Sequence, residues 1–305
     1  MKKQLFQWFG MATCSMALLA MVPAQAQTTA CATSTDGKVT STSSHSALTG
    51  GQSNATCTLQ PDEYKVKIYK VGVCTAAPTA PTTANAFSAS NCATVFESAA
   101  GVTVVVNKGQ ASPLTGTVTR PAAGTYVAGY VELAPELQLK LVKQFDTARM
   151  SGGDSSVGAY CWTQGTEVYS WNGSGRNVHC GNAPGVAVSS RIVTNGFPNG
   201  TSADFSYTSN LGSQSVTAYL VDSAQKLVVG GSAGAANGVS RMLGVVTFPT
   251  PLTINNSTTG FDTKFNVSHG ANLVMGYSTQ PTQQDWVDAF LNGPFSVQMS
   301  VSTAP

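Results

Sequence analysis

Six side chains suited to recognition chemistry fall within a single short stretch: Tyr160, Trp162, Tyr169, Trp171, Arg176 and His179. Exposed indole and phenol rings stack on sugar faces or fill a partner's pocket, and an Arg or Asn beside them hydrogen-bonds hydroxyls. The competing role is structural, with Trp162 and Trp171 packed into a core or onto a disulfide, and it carries the greater weight. Asn172-Gly173 is a tight-turn signal. With Cys161 and Cys180 at either end, the stretch reads as a hairpin clipped across its base.

Catalytic constellations are harder to assemble. A serine hydrolase needs a nucleophile with a base beside it, and the candidate bases are His45, His179 and His269, each in a polar setting. A glycosidase needs two opposed carboxylates. Glu132, Glu136, Glu167 and Asp154 are the available acids, and none stands in a recognisable pattern. No phosphate loop, dinucleotide fingerprint or calcium loop appears. No CxxC pair exists and the three histidines are scattered, so neither a zinc site nor any other metal or cofactor is expected.

The elements that must position these side chains begin after a leader. Lys2 and Lys3 precede an apolar run, and Ala24-Gln25-Ala26 has the small-x-small form of a signal-peptidase site. Residues 1–26 therefore read as a secretory signal peptide, and no later stretch approaches the roughly 20 apolar residues of a membrane span. The chain carries 16 Lys and Arg against 14 Asp and Glu. Loss of Lys2 and Lys3 with the leader brings them into balance. A neutral chain has no electrostatic footprint for nucleic acid. Charged residues make up 10% of the chain, against roughly 25% in ordinary soluble domains, and hydroxyls and amides take their place. Six cysteines lie beyond the leader. In an exported chain they predict disulfides, and their gaps favour sequential pairing: Cys31–Cys57, Cys74–Cys92 and Cys161–Cys180.

Residues 27–56 are small and polar and predict an arm, either flexible or an extended strand lent to a neighbour's sheet. Glu63 to Val73 alternates, with Tyr64, Val66 and Ile68 on one face and Lys65, Lys67 and Tyr69 on the other. Residues 75–91 predict a surface loop pinned by its disulfide. Val95-Phe96 and Val102–Val106 predict two short strands. The 124–145 segment reads as a central hairpin turned at Pro135, with Leu137, Leu139, Leu141 and Phe145 facing inward. Strand and turn signals then repeat from Pro184. One helix is expected near the C-terminus, capped by Thr282 and Asp285, with Trp286, Val287, Phe290 and Leu291 on its apolar face.

These features predict an all-β protein, an antiparallel sandwich or jelly-roll, with 57–184 and 185–305 as β regions of one domain or two. The functional expectation is an exported, non-enzymatic structural or cell-surface protein. It would be a subunit of an extracellular filament or coat that self-assembles through sheet edges, located extracellularly, at the cell surface or in the periplasm. The alternative is a secreted carbohydrate- or ligand-binding module that meets a glycan or surface partner through the 160–179 stretch.

Overall fold

The computed structural model describes residues 30–40, 54–106, 114–170, 175–194, 206–211, 214–228, 238–276 and 286–303. Strands β1 (Asn54–Leu59), β2 (Glu63–Cys74), β3 (Cys92–Val106), β4 (Thr117–Val118), β5 (Gly124–Leu133) and β6 (Glu136–Lys140) come first. They are followed by β7 (Val142–Ser151), β8 (Val157–Thr163), β9 (Val168–Tyr169), β10 (Val178–Gly181), β11 (Ser190–Val193) and β12 (Ser206–Leu211). The order ends with β13 (Gln214–Val221), β14 (Arg241–Ile254), β15 (Thr258–Asn266), β16 (Ala271–Gly276), β17 (Trp286–Asn292) and β18 (Ser296–Thr303).

The architecture is all-β. One sheet has the order β1-β16-β17-β7-β8-β10, a larger one is built around β14, β5 and β2, and β15 pairs with β18 alone. Strands from both sides of residue 185 share the two larger sheets. Pairing between strands is antiparallel except for β7 with β17 and β9 with β11, which are parallel. All three sheets contribute to one principal core, from Cys57 on β1 through Tyr64 on β2 to Met299 on β18.

The alternation read from the sequence decides which side chains enter that core. Tyr64, Val66 and Ile68 are buried while Lys65, Lys67 and Tyr69 are half-exposed. Leu137, Leu139, Leu141 and Phe145 are each buried to within 1% of full, and Gln138 between them is exposed. The 124–145 segment does not close as a hairpin, however. β5 pairs with Ile68–Cys74 of β2 and β6 pairs with Glu63–Lys65 of the same strand. They therefore run on in one direction along one edge of β2. Between the Ile68–Leu133 and Lys65–Gln138 pairs β2 advances by three residues and its partner by five, a wide bulge at Ala134-Pro135. Proline fits there because the bulge needs no ladder donor at that position. The bend frees the opposite edge of β5 for β14 and that of β6 for β11.

β3 is likewise one strand where two were expected. Its ladder with β2 breaks between the Ile68–Val102 and Lys70–Glu97 pairs, and Gly101 in that break takes a positive φ of 71°, a conformation that suits glycine.

The expected C-terminal helix is not seen among the described residues. Trp286–Asn292 forms β17, hydrogen-bonded between β16 and β7, while Thr282 and Asp285 lie outside the described residues. Val287, Ala289 and Phe290 are buried. Asn177, itself fully buried, donates from Nδ2 to the Phe290 carbonyl at 2.7 Å and accepts the Phe290 N–H at 3.0 Å. That side-chain amide supplies the ladder bonds a neighbouring strand would make. Backbone partners on both edges outweigh the weak local preference for a helix.

The arm folds back on its own chain within 30–40. Cys31 is bonded to Cys57, and Val39 is buried, with its N–H donating to the Gln144 carbonyl at 2.8 Å and its carbonyl accepting from Asp146 at 2.9 Å. The arm's last residues, 54–56, open β1 and pair with β16, and its residues 27–29 and 41–53 lie outside the described residues. The 75–91 loop also packs rather than simply covering the surface. Pro78 and Pro81 are buried, and the Phe87 ring sits 5.5 Å from that of Tyr130. Thr82 and Phe87 hydrogen-bond to Leu227 and Gln225. Phe87 and Ala89 of the loop pack against Cys74, Ala128, Tyr130 and Leu243 in a second, smaller core.

Candidate functional site

The cysteines pair as the spacing predicts: Cys31–Cys57, Cys74–Cys92 and Cys161–Cys180. Cys161 and Cys180 face each other across the β8–β10 ladder. Their side chains point into the core, so by alternation Tyr160, Trp162 and His179 share the opposite, half-exposed face. His179 stands directly opposite Trp162, with ring centroids 4.7 Å apart and planes tilted by 53°. The 182–185 segment then folds across the indole. A Cβ at Gly185 would overlap the Trp162 ring, so the glycine backbone lies flat against it. With His179 against the indole and Gly185 on it, part of the Trp162 ring is covered, and the residue as a whole stays half-exposed.

Asp154 orients the imidazole. It lies in the turn between β7 and β8, and its Oδ2 is 2.6 Å from His179 Nδ1. Ser156 donates to the same carboxylate from its hydroxyl at 2.6 Å and its amide at 3.1 Å. Burial raises the Asp154 pKa, but hydrogen bonds from Ser156, His179 and Ser151 more than offset it and hold the carboxyl well below the usual range. An aspartate bonded to Nδ1 is the orienting half of a catalytic dyad. Among the described residues, no hydroxyl is hydrogen-bonded to the His179 ring.

The remaining members of the predicted set go elsewhere. Arg176 bonds Asp288 Oδ1 at 2.7 Å and the Gly152 carbonyl at 3.0 Å. The Glu167 carboxylate beside Tyr169, on β9, raises the pKa of its hydroxyl. Trp171 lies outside the described residues, as does His45. His269 Nδ1 meets Thr58 Oγ1 at 2.6 Å. Glu136 and Glu167, far apart in sequence, converge on Arg191, which bridges both carboxylates. Glu132 pairs with Arg241 at 3.1 Å. Among the described residues, no group of three or more His, Cys, Asp or Glu side chains is placed to hold a metal ion, and no helix is long and apolar enough to cross a membrane.

A feature that the sequence did not announce is an apolar cleft of about 1040 Å³. β15 forms one wall, and β3, β4 and residues 119–121 form the other. Its floor includes Ile68, Val71, Phe96, Ile254 and Val301. Every residue from Thr258 to Phe265 lines it, as does every residue from Val118 to Pro121. Side chains of a strand alternate between faces, so a wall lined by consecutive residues is the strand's edge. β15 pairs with β18 along one edge, and no described strand takes the other. Phe261 and Phe265 remain half-exposed beside the cleft, and Val118 is 68% exposed. The alternation of Phe261, Thr263 and Phe265 with Asp262 and Lys264 is visible in sequence, but nothing local shows that their strand lacks a second neighbour. No protein-family model, no curated protein and no solved structure matches this chain.

Proposed function

We propose that this chain is an exported, non-enzymatic structural protein of the cell surface, acting as a subunit of an extracellular filament or coat. The observation that carries the reading is the set of three disulfides, one tying down the N-terminal arm, one the 75–91 excursion and one the β8–β10 pair. Such cross-links suit an oxidising, exported environment. They brace an all-β body in which few charges hold copies apart. The glycan-binding alternative draws less support, because part of the Trp162 ring is covered by His179 and Gly185.

Immunogold electron microscopy of intact producing cells tests the proposal. Label on ordered polymers or a continuous coat is the expected result. Label confined to the cell interior, together with a purified protein that stays monomeric at high concentration, would overturn it.

A further inference from the structure

We propose that the cleft beside β15 is an acceptor site for an extended polypeptide strand from another molecule. The incoming strand pairs with the open edge of β15 and buries alternate apolar side chains on the cleft floor. This deepens the assembly reading above and rests on it only for the biological source of the strand.

Three observations converge. First, the cleft is bounded by strand edges rather than faces, as the unbroken lining by Thr258–Phe265 shows. An edge presents backbone N–H and C=O groups in a row, and only another strand satisfies them along its whole length. Second, the floor is apolar and deep, with Ile68 and Val71 buried to within 1% of full at its base and Phe261 and Phe265 half-exposed above. Alternate side chains of an added strand point into such a floor and set its register. Third, the hollow is elongated. A second cavity of about 560 Å³ shares Val106, Lys264 and Phe265 with the first and carries it on to Ser268. β15 itself has nine residues, which at about 3.3 Å each span roughly 30 Å.

Charge at the rim describes the occupant further. Arg120 stands at one end, its Nη2 donating to the Asn255 carbonyl at 2.6 Å with no carboxylate partner among the described residues. Lys264 stands toward the other end, again with no ion pair among the described residues. Asp62 in the second cavity is engaged by the Val142 N–H at 2.7 Å and by Lys143 at 3.6 Å. Asp262 accepts from the Ser302 hydroxyl at 2.9 Å. The complementary strand therefore alternates β-branched apolar residues with small polar ones and ends in acids. A long-chain carboxylate would also match an apolar floor with a cationic rim, but it would leave the β15 edge unsatisfied. The strand is favoured for that reason.

The test uses the mature protein with its disulfides intact and a panel of nine-residue peptides built on EVTVTVTVE. The panel varies Val to Ile or Phe and exchanges the terminal acids for lysine. Controls are the same peptides N-methylated at alternate residues, and laurate. Hydrogen exchange of the β15 amides is the primary readout and thermal shift the second. The β15 edge amides should exchange readily in the protein alone and slow by about tenfold or more on saturation with the best acid-ended peptide. Lysine-ended and N-methylated peptides should do neither. Phe261→Ser, checked for an unchanged circular dichroism spectrum, should weaken binding by about tenfold. The proposal is overturned if the edge amides are already protected without peptide, if no member of the panel protects them, or if laurate binds where the peptides do not. Peptide binding is read on purified protein, so it can succeed where surface labelling fails, and the reverse; the two proposals fail separately.

Discussion

Gly72→Ala is a one-carbon perturbation that probes whether β2 and β5 are paired in the register described. Gly72 lies opposite Tyr130 in that ladder, and a Cβ there would sit 2.7 Å from Tyr130 Cζ, closer still to Cε1, and 3.0 Å from the Ala93 carbonyl on the other side. The φ of Gly72 is not in the left-handed region, so on backbone grounds alone alanine would be neutral or stabilise by up to about 1 kcal/mol. The sign is decided by the ring. Tyr130 is 4% exposed, its hydroxyl is 3.0 Å from Thr94 Oγ1, and Phe87 packs 5.5 Å away. Moving the ring sacrifices that hydrogen bond, about 1 kcal/mol, on top of about 1–3 kcal/mol for overpacking. The expected destabilisation is about 2–4 kcal/mol, read from urea unfolding of the oxidised protein. Tyr130→Ala should cost about 3 kcal/mol or more by itself. Adding Gly72→Ala to it should then cost almost nothing, a coupling of about 2–4 kcal/mol. Additive effects, within about 0.5 kcal/mol, would refute the packing of Tyr130 on Gly72 and with it the register.

Leu139→Asp should cost several kcal/mol, since it buries an unpaired charge at a fully buried site, whereas Lys140→Asp on the half-exposed face should be close to neutral; equal shifts in the urea midpoint would mean that the parity is wrong. Asp154 has a lowered folded-state pKa, so its interactions contribute stability above its ordinary value of 3.8 and lose it as pH falls further. The thermal stability of Asp154→Asn should accordingly lag the parent's at neutral pH and begin to close on it as pH falls below about 4, and a gap that stays constant from neutral pH down to about pH 2 would contradict the assignment. Reducing Cys161–Cys180, which closes 19 residues of sequence separation, should cost about 3 kcal/mol in the chain-entropy picture. Non-reducing peptide mapping that finds crossed pairs would overturn all three assignments.

What the sequence determined by itself was local and periodic. The period-two pattern of Leu137, Leu139 and Leu141 assigned the inward face of β6 before any partner was known, because a strand's side chains alternate whatever lies beside them. An even number of cysteines beyond the leader, taken in consecutive pairs 26, 18 and 19 residues apart, pointed to the three disulfides. What only the tertiary structure decided depends on which backbone meets which. Pro135 marks a bend in either reading; that the bend is a bulge along β2 and not a hairpin follows from β14 and β11 taking the outer edges of β5 and β6. The same holds for Trp286–Asn292, where apolar residues at helical spacing became a strand because β16, β7 and the Asn177 side chain satisfy its backbone. The recognition stretch was dispersed for a related reason. Arg176 and Tyr169 found nearer charged partners in Asp288 and Glu167, and the backbone at Gly185 came to rest on Trp162. The cleft beside β15 was the least visible of all, since it lies along an edge that no described strand takes, and no run of residues records which strands will meet.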